Sequence, residues 1–91
     1  LKGLCKNISK KYLSDIFLKP LKCNYCFSKG GDLCTPTSVQ TCSGRANACA
    51  AVIFQAPLYS SFRQCINMAV CQGYISTLGV LAQCCSTDLC N

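Results

Sequence analysis

Apolar residues recur at helical spacing before Pro20 and at strand spacing after it. Leu1, Leu4, Ile8, Tyr12 and Ile16 share one face of a helical wheel, while Lys2, Lys6, Asn7, Ser9, Lys10 and Ser14 fall elsewhere. The pattern predicts an amphipathic helix in an arm covering residues 1–20, halted at Pro20, which has no N–H and clashes with the preceding turn. Asp15 intrudes on the apolar face and Gly3 weakens the first turn, so this short helix needs a partner surface to be stable.

Residues 21–91 read as short strands between turns. Leu21-Lys22-Cys23-Asn24-Tyr25 and Ser38-Val39-Gln40-Thr41-Cys42 flank a turn at Lys29-Gly30-Gly31-Asp32. After a connector, Ser43 to Asn47, a second pair is expected in Ala48 to Phe54 and Ser61 to Ile66, broken at Ala56-Pro57-Leu58-Tyr59-Ser60. A third unit runs from Met68 through Gln72-Gly73-Tyr74-Ile75-Ser76-Thr77 and returns along Leu78 to Cys85, with no helix required. Three hairpin-like units describe an all-β protein.

Composition gives that protein its class. Eleven of the 91 residues are cysteine, a density that in a short chain points to a disulfide scaffold and an oxidising compartment. Cys23-x-x-Cys26 alone could be half a zinc site or a redox pair. No second Cys-x-x-Cys follows, there is no histidine, and no βαβ pattern surrounds it. A single small domain buries only a modest core, so its stability depends on the covalent bridges.

No run of about 18 apolar residues predicts a membrane span, and no apolar h-region with an A-x-A-like site marks a retained signal peptide. The sequence reads as a mature, secreted or extracellular chain. Ending at Asn91 without a spacer and hydrophobic tail, it fits either a soluble protein or a lipid-anchored precursor already trimmed. The formal charge of +6 is uneven: six lysines and Asp15 place +5 in the first 22 residues, leaving +1 for the rest. That residual field, without an interleaved aromatic and basic stripe, excludes nucleic acid as a partner.

The segment Leu21-Lys22-Cys23-Asn24-Tyr25-Cys26, the closing Cys84-Cys85-x4-Cys90-Asn91, and Cys34, Cys42, Cys49, Cys65 and Cys71 in order between them resemble the Ly6/uPAR three-finger family. That family includes snake three-finger toxins and CD59-like surface proteins. Gln40-Thr41-Cys42-Ser43-Gly44 through Ala48-Cys49 looks most like its gamma-type phospholipase A2 inhibitor and uPAR branch, whose inhibitors usually carry two such domains where this chain has one and a basic arm. The resemblance implies a small disulfide-rich three-finger fold in residues 21–91. It also implies the pairs Cys23 with Cys49, Cys26 with Cys34, Cys42 with Cys65, Cys71 with Cys84 and Cys85 with Cys90, and makes Asn91 a buried hydrogen-bonding residue of the knot.

Catalysis draws mainly on histidine, acidic residues, lysine and activated cysteine. With no histidine or glutamate, and with Asp15, Asp32 and Asp88 scattered along the chain, neither an enzyme nor a cofactor or metal site is expected. Recognition through loops is the remaining chemistry. Leu58 and Tyr59 in the second unit, and Tyr74, Ile75 and Leu78 in the third, are the partner-binding candidates, since apolar and aromatic residues near turns serve as interface anchors. Tyr59 and Tyr74 could equally pack on their own units. Phe27, Lys29 and Asp32 form a weaker set in the first.

Five bonds leave Cys5 over, for an intermolecular disulfide and hence a covalent dimer, or for a free or capped thiol. Asn7-Ile8-Ser9 is a glycosylation sequon. A glycan on Asn7 would oppose the alternative in which Leu4, Ile8, Tyr12 and Ile16 enter a membrane surface beside the lysines. Three functions follow as expectations: a non-enzymatic secreted or cell-surface protein that binds an extracellular protein through its finger surface; a membrane-active, toxin-like defence protein acting through the arm; and a secreted, pheromone-like signal.

Overall fold

The computed structural model describes residues 20–91. The arm helix, Cys5, the Asn7 sequon and the set Leu4, Ile8, Tyr12 and Ile16 lie outside them. The described chain is a small, mostly antiparallel β protein with one helix: β1 (Lys22–Lys29), β2 (Ser38–Thr41), β3 (Ala48–Phe54), β4 (Ser60–Ile66), α1 (Met68–Ile75) and β5 (Val80–Cys85). The strands form one sheet in the order β2-β1-β4-β3-β5.

Two of the three expected hairpins are present, with altered bounds. β3 and β4 pair along their whole length, from Ala48 opposite Ile66 to Phe54 opposite Ser60. β1 is longer than expected and is shared between two neighbours. Its first half, Lys22 to Tyr25, pairs with β2, and its second half, Cys26 to Lys29, pairs with β4.

The third unit is not a hairpin. Residues expected to need no helix form α1, and β5 returns beside β3, with Cys49 opposite Cys85 and Phe54 opposite Val80. A side-chain cap explains the helix. The Asn67 Oδ1 accepts from the Ala69 N–H at 2.9 Å and the Asn47 Oδ1 from the Met68 N–H at 2.9 Å, satisfying two donors that a helix start leaves open. The buried Cys71, bonded to Cys84 on β5, then holds a turn whose Val70, Gly73 and Ile75 would not be helical alone.

β3 separates two small cores. Ala48, Ala50 and Val52 face α1 with Ile66 and Cys71, edged by Phe54, Phe62 and Tyr74. The other core is sulfur: Cys23, Cys42, Cys49 and Cys65, with Cys85 and Cys90 at its border. Val52 is the largest of the fully buried side chains. With so little apolar volume inside, the five bonds Cys23–Cys49, Cys26–Cys34, Cys42–Cys65, Cys71–Cys84 and Cys85–Cys90 hold the fold together. They join the same pairs that the resemblance implies.

Asn91 fills the gap where β1 leaves β4. Its Oδ1 accepts from the Asn24 N–H at 2.9 Å, and its Nδ2 donates to the carbonyls of Asn24 at 3.1 Å and Ala50 at 2.6 Å. The carboxamide thus substitutes for a peptide group of a missing strand. Across the same gap the Gln40 Oε1 accepts from the Cys65 N–H at 2.7 Å. Among the described residues no buried side-chain polar atom lacks a partner.

Candidate functional site

β1, β3, α1 and β5 all reach one end of the molecule, where three loops meet. The Gly30 N–H donates to the Tyr59 carbonyl at 2.6 Å, tying the β1–β2 loop to the β3–β4 loop. The Gln55 N–H donates to the Gly79 carbonyl at 2.9 Å, tying the β3–β4 loop to the α1–β5 loop. Tyr59 makes its bond from the left-handed region, φ 45°, and its ring lies beside Gly31. A tyrosine held there stores backbone strain, a frequent property of binding loops.

The exposed apolar side chains of this end are Leu58 (69% exposed), Tyr59 (52%), Ile75 (53%) and Leu78 (97%). Four of the five expected partner-binding residues therefore lie at one end and face solvent. Tyr74 does not. It is half-buried and meets Phe54 and Phe62 edge-on, with ring centroids 5.8 and 5.9 Å away, so much of its ring area is used in fixing α1 to the sheet. Of the weaker set, Phe27, Lys29 and Asp32 are exposed, Phe27 directly opposite Phe62.

Charge is confined to the β1–β2 loop at this end and is missing from the β3–β4 and α1–β5 loops. Between Arg45 and Asp88 the only charged residue is Arg63, and its guanidinium is occupied: Nε donates to the Cys34 carbonyl at 2.8 Å and Nη1 to the Asn91 carbonyl at 2.7 Å. The buried Ser61 Oγ accepts from the Cys34 N–H at 2.9 Å and donates to the Asp32 carbonyl at 3.2 Å. Together Arg63 and Ser61 clamp the β1–β2 loop across the sheet. Leu33 of that loop, with Ala51, Ile53, Leu81, Ala82 and Gln83, lines a shallow groove of about 220 Å³.

Neither clamp residue stood out in the sequence, because a serine and an arginine in a half-exposed strand are ordinary. The signal was relative: Arg63 is the one charge in a long neutral stretch.

Cys23 and Cys26 bond to different partners, so Cys-x-x-Cys is not a redox pair. The sulfurs of Cys23, Cys42 and Cys65 lie within 4.8 Å of one another, a spacing that thiolates could use to bind a metal. Here all three are oxidised, and the 3.4 Å approach of Cys23 to Cys42 is a contact between two disulfides with no proton to share. Among the described residues no helix is long and apolar enough to cross a membrane.

No family model, curated protein or solved structure matches the chain.

Proposed function

We propose that this chain is a secreted or cell-surface, non-enzymatic binding protein of the three-finger kind, docking its loop end on an extracellular protein. The observation that carries the reading is the ridge of Leu58, Tyr59 and Leu78 on two adjoining uncharged loops, tied by backbone bonds to each other and to the β1–β2 loop. Exposed leucine on a disulfide-fixed loop is costly to leave in water and loses little conformational entropy when covered. The likeness to the Ly6/uPAR family supports the same reading, as does the return of β5 beside β3 in a sheet held by five bridges.

The test is capture from extracellular fluid on immobilised full-length protein, with a Leu58→Ser/Leu78→Ser variant alongside. Proteins retained by the parent are expected to be lost by the variant, whose five disulfides should form unchanged. Equal retention by both would refute the assignment of this end as the docking surface.

A further inference from the structure

Beyond the proposed docking role of the loop end, we propose that the open edge of β5 pairs with β5 of a second copy, joining two sheets across a two-fold axis. The strand register identifies which backbone groups are open. Since Gln55 donates to Gly79, antiparallel alternation makes Leu81, Gln83 and Cys85 the residues that exchange bonds with β3. Val80, Ala82 and Cys84 point their peptide groups the other way. The Val80 N–H is taken by the Thr77 carbonyl at 3.3 Å. Among the described residues nothing bonds to the backbone of Ala82 or Cys84.

Those two positions are self-complementary. Ala82 opposite Cys84 of the second copy, and Cys84 opposite its Ala82, let each pair exchange both backbone bonds, with Gln83 facing its own copy on the axis. The sequence of β5 itself carries no device against such pairing, although α1 packs on one of its faces through Cys71–Cys84. β5 has no charge, proline or glycine, and the other edge strand, β2, is shorter and follows Thr35-Pro36.

The self-complementary register favours a second copy, and charge permits it. Two copies of a chain of net charge +6 repel wherever their lysines approach, yet Gln64 to Thr87 contains no charged residue at all. Here like molecules can meet without repulsion. Leu81, 54% exposed at the rim of the groove beside Ile53, gains cover in the pairing. Because the strands run antiparallel, the two loop ends point in opposite directions, and both ridges stay available.

The test uses the full chain carrying Cys5→Ser, which removes covalent linkage through that residue. Sedimentation equilibrium from about 1 µM to about 1 mM is expected to give a reversible monomer–dimer equilibrium. Gln83→Lys and Gln83→Glu, exposed changes that place like charges across the axis, should each weaken it roughly tenfold or more, and an equimolar mixture should restore it. The Ala82 and Cys84 amides should gain protection from hydrogen exchange only in the dimer. Leu58→Ser/Leu78→Ser should leave the equilibrium unchanged, separating it from the docking role.

A monomer at every concentration would overturn the proposal, and so would a dimer indifferent to charge at Gln83. Protection of the Ala82 and Cys84 amides in the monomer would also overturn it, by showing that the edge is already covered within a single chain.

Discussion

Replacing Asn91 by alanine removes the carboxamide that stands in for a strand between β1 and β3. Three hydrogen bonds go with it: the one from the Asn24 N–H and those to the carbonyls of Asn24 and Ala50. The Ala50 carbonyl keeps its place in the β3–β4 ladder, but the Asn24 N–H and carbonyl lose these partners beside the sulfur core. Each of these two abandoned groups costs about 1–3 kcal/mol, so the loss is about 2–6 kcal/mol. The backbone of residue 91 should stay in place, because its carbonyl still accepts from Arg63 and from the Asn24 Nδ2.

Guanidinium denaturation of the oxidised protein reads this directly. A slope of about 2 kcal/mol per molar converts the loss to a fall of about 1–3 M in midpoint. Asn91→Asp separates hydrogen bonding from space filling: it keeps the shape and one acceptor, but turns an oxygen toward two carbonyls, and should cost at least as much as alanine. Exchange of the Asn24 amide should accelerate in both variants while β3 amides keep their order of protection. A tolerated aspartate, or an alanine shift below about 0.3 M, would refute the carboxamide's role as a substitute strand.

Tyr59→Gly should leave the denaturation midpoint within about 0.5 kcal/mol of the parent, because relief of a left-handed tyrosine offsets the lost ring contact and the entropy of a new glycine. Partner capture should nevertheless fall, and a large loss of stability would show that this loop is not strained. Serine at both Cys23 and Cys49, whose separation is 26, should cost about 3.5 kcal/mol, against about 2.5 kcal/mol for Cys26 and Cys34, separated by 8. The reverse order in chemical denaturation would show that native contacts, not chain entropy, set the value of these bonds.

Much of the sheet was legible because strand residues alternate and turns are marked by glycine and proline. Ala48 to Phe54 and Ser60 to Ile66 sit within a residue of their expected places. The division of β1 was hidden, since what brings it to β4 is a clamp between Cys34 and Ser61, 27 positions apart. Helix α1 was missed for a local reason. Met68 to Ile75 is short and rich in residues that suit a strand as well, and only Asn67, a good helix cap, announced it. Spacing placed Tyr59 and Tyr74 equally near turns. The difference between them arises from Phe54 and Phe62, which offer one ring a partner and leave the other in water.

The distribution of side-chain size links stability to recognition. A core filled by cysteine, three alanines, Val52 and Ile66 has no room for the chain's larger apolar residues. Leu58, Leu78 and Leu81 therefore remain outside, where covering one leucine is worth about 1.5–3 kcal/mol. In a domain held by apolar packing such exposure would compete with the native core and favour rearrangement or aggregation. Covalent bonds remove that competition, because the five bridges restrict the unfolded chain whether or not a leucine is covered. The surface is thus free to carry apolar side chains that a larger core would have absorbed, and under the proposed docking role its composition can change while the sulfur hub and Asn91 keep the loops in place.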